Sequence, residues 1–307
     1  MDDRPIIETE GLSKWFGEVV AVNNLNVTIL PGITGLLGPN GAGKSTFIKL
    51  ALGLYGASRG YIKVFGESPR NNLSVLARIG YCPEIDRFYD NMTGYEFVYW
   101  MARFRGLTSR AAKAGAADAC ARVRMDSRMH DPIDSYSRGM RQRIKIAQSL
   151  TADCDLLFLD EPMSGLDPQG REELFALIQT IASEGRTVIF STHVLYEVER
   201  VTSNVVMLHN GCLLAQGDIH QIRDLIDEHP HAVTVVCNEP RRLAGEFMEN
   251  DSTLTLEFNA DSVTIRTADP NGFYRRLNDL VLEDHFVVES ITSPDDNLQS
   301  VFDYLVG

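Results

Sequence analysis

Eight consecutive residues, Gly38-Pro39-Asn40-Gly41-Ala42-Gly43-Lys44-Ser45, have the types and spacing needed to hold a string of phosphates. Glycine at 38, 41 and 43 lets the backbone take positive φ and approach a ligand with no Cβ in the way. Successive N–H groups then face inward as a nest for an anion. Lys44 can reach β- and γ-phosphates, and the Ser45 hydroxyl can ligate Mg²⁺. Farther along, Asp160 and Glu161 close the apolar run Leu156–Leu159. Asp160 is placed to hold Mg²⁺, directly or through water, and Glu161 to orient or deprotonate an attacking water. His193 ends the run RTVIFSTH. A lone histidine is more often structural, but one at the C-terminal edge of the same sheet has a stronger functional claim.

These groups serve one reaction only if strands and helices carry them to one place. Ile33–Leu37 reads as a buried strand ahead of the glycine loop, and Phe47, Ile48, Leu50, Ala51 and Leu54 give a helical face after it. Strand, G-x-x-x-x-G-K-S and helix together form the context of a phosphate-binding loop. The runs 156–159 and 187–192 lack alternation, as strands buried on both faces do. Upstream, the adjacent aromatics Trp15 and Phe16 either include a platform for a purine ring or simply pack a sheet. Thr93 and Glu96 form a capping box for a helix with Phe97, Trp100, Met101 and Phe104 on one face, read either as core or as a docking surface. A helix from Ser109 to about Met125 follows, and Ser137 is the N-cap of another, RQRIKIAQSL. Asp167 and Pro168 are fully explained as N-cap and first residue of a helix ended by Gly185. Asn210-Gly211 turns a hairpin.

Composition narrows the class. The 307 residues are 44% hydrophobic and 23% charged, an ordinary globular balance, enough for one large or two ordinary domains. A net charge of −13 argues against nucleic acid as a partner, because neutralising phosphate needs Lys and Arg in excess. Cys82, Cys120, Cys154, Cys212 and Cys237 are dispersed, with no C-x-x-C pair, the pattern of free thiols in a reducing compartment. No apolar run approaches the ~20 residues of a membrane helix, and the acidic start is unlike a signal peptide, so the chain reads as cytoplasmic. From about Asp227 short alternating strands interleave with helical stretches in the order β-α-β-β-α-β-α, a small α+β domain with a ferredoxin-like option.

Taken in order and spacing, GPNGAGKST, YSRGM, LLFLDEP, GLDP and STH resemble the ATP-binding subunit of an ABC transporter over roughly Ile6 to Leu225. SRGM before QRIKIAQSL, with the tail LQSVFDYLVG, is most similar to the exporter branch whose membrane subunit is a separate ABC-2-type polypeptide. The resemblance implies an α/β fold: a P-loop, RecA-like core with an antiparallel β subdomain and a helical subdomain at about 93–150. The ATP-binding domain would occupy residues 1–226 and an accessory domain 227–307. It implies that Thr46 adds a phosphate contact and that Phe16 stacks on adenine. Glu161 would be the catalytic glutamate and His193 the switch histidine on the γ-phosphate. Ser137 and Gly139, with Arg138 and Met140 between and after them, would meet the γ-phosphate held by a second subunit, and Asp167 would communicate across that dimer.

Three residues depart from the family pattern. Glu84 stands where glutamine is usual; it can ligate Mg²⁺ but cannot donate an amide hydrogen bond. Arg138 replaces glycine and either approaches the opposing nucleotide or points to solvent, and Met140 replaces glutamine. The implied partners are a transmembrane permease, docked in a groove beside Thr93–Arg105, and a second copy or a homologue of this chain. Two other functions compete. A soluble ABC ATPase acting on nucleic acid or ribosomes would show coiled coils, tandem cassettes or a basic arm. A ligand-sensing ATPase would use residues 227–307 as its sensor.

Overall fold

The computed structural model describes residues 4–89, 91–151, 154–224, 231–248, 252–283 and 286–293, and the chain divides into two compact units, Met1–Asp218 and Ile219–Gly307. In the first unit a six-stranded sheet runs, edge to edge, Cys212–Asp218, Asn204–His209, Ile33–Leu37, Thr187–Thr192, Leu156–Leu159, Ile79–Cys82. Neighbours are parallel except the first pair, an antiparallel hairpin turned at Asn210-Gly211 with φ of 48° and 78°. Leu156–Leu159 and Thr187–Thr192 are buried at every position, which explains why neither alternates between apolar and exposed polar residues. Leu37 pairs with Thr192, Leu159 with Phe190 and Cys82 with Leu159. The residues just beyond these partners, Gly38, His193, Asp160 and Pro83, therefore leave the sheet at one edge.

A second, antiparallel sheet pairs Ile7–Phe16 with Val19–Leu25, Thr28–Ile29 and Arg59–Val64. The helix Lys44–Ala51 buries Phe47, Ile48, Leu50 and Ala51 in a cluster shared with Leu12, Val22 and Val64 of that sheet and Phe158 and Ile189 of the parallel one. Each large side chain buried this way contributes about 1.5–3 kcal/mol, so the helix start is fixed relative to both sheets. Leu54 does not belong to this face: the helix ends at Ala51, Gly53 turns the chain with φ 65°, and Leu54 is exposed.

Three helices of this unit, Gly94–Phe104, Ser109–Arg122 and Arg138–Leu150, pack against one another. The expected capping box is present, with Glu96 N donating to Thr93 Oγ1 at 3.2 Å and Thr93 N to Glu96 Oε2 at 2.9 Å. Fully buried Ala112, Ala116 and Ala119 let the helices approach closely. Phe97 is buried, whereas Trp100 and Phe104 are 45% and 77% exposed, so the aromatic face divides between core and surface. The described cysteines are free thiols, and among the described residues no helix is long and apolar enough to cross a membrane.

The second unit has a four-stranded antiparallel sheet ordered Thr253–Phe258, Ser262–Thr267, His231–Cys237, Val288–Thr292. Helices Pro240–Met248 and Pro270–Leu282 contribute Leu243, Phe247, Phe273 and Leu277 to its core. Two interleaved β-α-β units with that strand order make the fold ferredoxin-like. The helix expected at the C-terminus and the boundary expected after residue 226 lie outside the described residues.

Candidate functional site

The Gly38–Ser45 loop joins the middle of the parallel sheet to the Lys44–Ala51 helix. Gly43, with φ 102°, precedes the helix, and a Cβ there would come within 2.6 Å of Ala21 O. Gly41, with φ 83°, faces open space. No side chain caps the start of this helix, whereas Thr93, Thr108, Ser137 and Asp167 each cap theirs. The uncapped N–H groups and the positive dipole end suit an anion. Lys44 is buried, and its Nζ donates to Gly38 O at 2.6 Å and Pro39 O at 3.2 Å.

Lys44 Nζ also lies 3.2 Å from Glu161 Oε1, while Glu161 Oε2 is 3.0 Å from His193 Nδ1. The contact with Lys44 is one of charge, since Oε1 is buried without a hydrogen bond of good geometry. Glu161 has φ 47°, in the left-handed region that non-glycine residues rarely occupy. Asp160 is 2% exposed and accepts from Ser191 Oγ at 2.6 Å and Ser45 Oγ at 3.3 Å; among the described residues its carboxylate pairs with no cation. Hydrogen bonds and ion pairs thus join Lys44, Ser45, Asp160, Glu161 and His193 in one network. Burial pushes the neighbouring Cys82 thiol up to about 12, leaving it protonated, and its carbonyl accepts from Asp160 N at 2.9 Å.

A cavity of about 630 Å³ opens beside Ser45 and Asp160 and is lined further by Glu84, Phe88, Met101 and Lys145. The Glu84 side chain is exposed, and its backbone is anchored: Lys145 Nζ donates to Pro83 O at 3.0 Å and Glu84 O at 2.6 Å, and pairs with Asp86 at 2.7 Å. Phe16 is 43% exposed and meets Tyr55, just past the Lys44–Ala51 helix, edge to face at 5.1 Å. Lys14 Nζ lies 5.1 Å from the Phe16 ring and 5.8 Å from the Tyr55 ring.

Ser137, Gly139, Met140 and Asp167 stand outside the Lys44 network among the described residues. Ser137 is an N-cap, with Met140 N donating to its Oγ at 3.3 Å. Asp167 is one too, accepting from Gly170 N at 2.8 Å, with Pro168 as the first helical residue. Arg138 is exposed, in keeping with the solvent-facing alternative, and it also touches its own chain. Its Nη2 donates to Ser164 Oγ at 3.3 Å, and a Cβ on Gly165 would meet its Nε at 2.1 Å, so it lies along the loop preceding Asp167 of its own chain.

Sequence reading passed over Ser191, Lys145 and Tyr55. Ser191 and Lys145 are polar residues inside buried segments, and a polar side chain interrupting an apolar pattern is the signal that marks them. Tyr55 carries no such signal, because only the fold brings it to Phe16.

An uncapped glycine loop beside an Asp-Glu pair, at the C-terminal edge of a parallel sheet, defines a P-loop nucleoside triphosphatase. Residues 22–164 match the family described as ABC transporter. The bacitracin transport ATP-binding protein BcrA of Enterococcus faecalis is 32% identical over 305 residues, covering 98% of this chain and 96% of that one. The Nod factor export ATP-binding protein I of Bradyrhizobium diazoefficiens is 34% identical over 225 residues, covering 73% and 72%. A solved ATP-binding subunit of an ABC transporter matches with a TM-score of 0.64 at 28% identity, covering 72% of this chain and 93% of that one. The chain belongs to the ATP-binding proteins of ABC transporters, and it binds and hydrolyses ATP as a transporter subunit.

Proposed function

We propose that this chain is the energy-coupling subunit of an exporter, working as a nucleotide-sandwich dimer on the cytoplasmic side of a separate membrane permease. The observation that carries this reading is the Lys44–Glu161–His193 network, which ties the phosphate loop to the carboxylate and the histidine of two further strands. Gly38 to Thr46 cradle the triphosphate of ATP, Lys44 neutralises its β- and γ-oxygens, and Phe16 stacks on the base. Binding draws Lys44 from Glu161 onto phosphate. The freed Glu161 carboxylate takes a proton from water as the water oxygen bonds to the γ-phosphorus, and the bond to the β–γ bridging oxygen breaks to release ADP. His193 holds Glu161 and then the γ-phosphate.

The donor set beside the loop fits Mg²⁺. Ser45, Asp160 and Glu84 offer oxygens only. Among the described residues no cluster of three or more His, Cys, Asp or Glu can hold a metal, so the remaining ligands must be phosphate and water, as Mg²⁺ prefers. Bound with the nucleotide, Mg²⁺ supplies charge neutralisation on the β- and γ-phosphates.

Ser137 Oγ uses a lone pair to cap its helix and keeps its hydrogen for a phosphate on another chain. Gly139 and Met140 follow in that same first turn, and Asp167 faces the partner. The permease surface is the exposed aromatic group Tyr89, Trp100 and Phe104, around a smaller cavity of about 250 Å³ that shares Tyr89, Phe97 and Met101 with the first. One relative's name speaks of Nod factor export, which supports the outward direction. Residues 227–307 form an accessory domain after an ATP-binding domain of 1–226. Sedimentation tests the sandwich: Glu161→Gln should dimerise with MgATP and stay monomeric with MgADP, because only a γ-phosphate reaches the second chain. A monomer in both would reject a self-sufficient homodimer.

A further inference from the structure

Backbone pairing between Leu156–Leu159 and Thr187–Thr192 stops at Leu159 opposite Phe190. One residue later, Ser191 is fully buried and its side chain continues the connection. Its Oγ donates to Asp160 Oδ1 at 2.6 Å and accepts from Glu161 N at 2.8 Å. A hydroxyl has one hydrogen and two lone pairs, so it makes both bonds at once. On the opposite side, Asp160 N donates to Cys82 O at 2.9 Å. The peptide units before and after Asp160 are therefore held from the two flanking strands, one by a carbonyl and the other by Ser191.

That hold matters because the next residue is strained. Glu161 sits at φ 47°, and a non-glycine residue in this region persists only where its surroundings fix it. The bond to Glu161 N lies at the turn that aims the carboxylate towards Lys44 and His193. Ser45 shares Asp160 Oδ1 only at 3.3 Å. When the Ser45 oxygen serves a cation, Ser191 is the remaining hydroxyl on that carboxylate.

We infer that Ser191 is a positioning residue for ATP hydrolysis, setting the Asp160 carboxylate and the Glu161 backbone with one hydroxyl. The inference rests on the roles proposed above for Asp160 and Glu161. Removal of an outer-shell partner commonly lowers metal affinity or activity about 10–100-fold, and Ser191→Ala should lower kcat on that scale. Mn²⁺ binding to the ATP complex, read by electron paramagnetic resonance, should weaken by a similar factor. ATP affinity without metal should stay within about twofold, since Ser191 does not touch the phosphate loop. Ser191→Thr, which keeps the hydroxyl, should restore both quantities.

An Ala variant with wild-type kcat and Mn²⁺ affinity overturns the inference. So does a matching loss of metal-free ATP binding, which would place the effect on the fold. If the Ala variant does not fold, Ser191→Cys against Ser191→Thr decides: Cys should lose kcat while Thr keeps it, and equal activity overturns the inference. Glu161→Gln assayed alongside separates the two levels. Full turnover by that variant rejects the proposed base itself, whereas slow Glu161→Gln with unimpaired Ser191→Ala rejects the role of Ser191 alone.

Discussion

Glu161 has a contact in the resting site and, as the base proposed above, a second role during reaction, and a single substitution separates them. At rest it lies 3.2 Å from Lys44, competing with phosphate for the same ammonium. Glu161→Gln removes both the base and the competing charge, so turnover should fall about 10²–10⁴-fold while ATP affinity holds or rises. Single-turnover rates and equilibrium titration read the two separately, and wild-type turnover would exclude Glu161 as the base. Phe16 makes a simpler case. It presents a half-exposed ring braced by Tyr55, and Phe16→Ala should weaken ATP and GTP alike by about 1–3 kcal/mol, the value of one base–aromatic stack. Unchanged affinity for both nucleotides would return Phe16 to a packing role. Lys44, Asp160, Glu161 and His193 were legible in the sequence because each follows a recognisable apolar strand. Ser191 was not, because its partners come from a strand that is adjacent only in space.

Among the elements, the helix starts were the most legible and the helix surfaces the least. Thr93, Ser137 and Asp167 were readable as caps because a cap is a local bond within one turn, and each makes it. The apolar face of Gly94–Phe104 was ambiguous because periodicity records which residues share a face, not what covers it. The parallel order of the six strands depends on crossovers that no local pattern encodes. Arg138 shows the same limit. The sequence left its side chain between an opposing nucleotide and solvent; it is exposed and also bonds Ser164 in a loop of its own chain, which Gly165 leaves open to it. Arg138→Ala should loosen that loop: hydrogen exchange across 164–167 should speed up while ATP binding by the monomer is unchanged. Loss of a cation from a helix N-terminus removes a charge–dipole repulsion of about 0.3–1 kcal/mol, so the melting temperature should not fall. Unaltered exchange would show that Arg138 does not brace that loop.

For the whole molecule, burial on its own does not decide what the aromatic surface is for; its position does. Trp100 and Phe104 are exposed, and Phe97, Met101 and Tyr89 line both the large cavity and the smaller one beside it. The large cavity also reaches Ser45 and Asp160, so an occupant of its aromatic side shares a space with those two residues. Lys145 strengthens that link by tying the Pro83 and Glu84 carbonyls and the Asp86 carboxylate to the helix that begins at Arg138. A permease docked there would bear on the nucleotide site through Glu84 and, through Lys145, on the helix that Ser137 caps. The double substitution Trp100→Ala, Phe104→Ala removes exposed rings and should leave folding stability within about 0.5 kcal/mol per site. ATP binding and the MgATP-dependent dimer of the Glu161→Gln form should also survive it. Association with membranes from the native host should fall at least tenfold in a flotation assay, because large aromatics dominate interface energetics at about 2 kcal/mol or more each. Unchanged flotation, with the variant folded and binding ATP, would move the permease interface away from this surface.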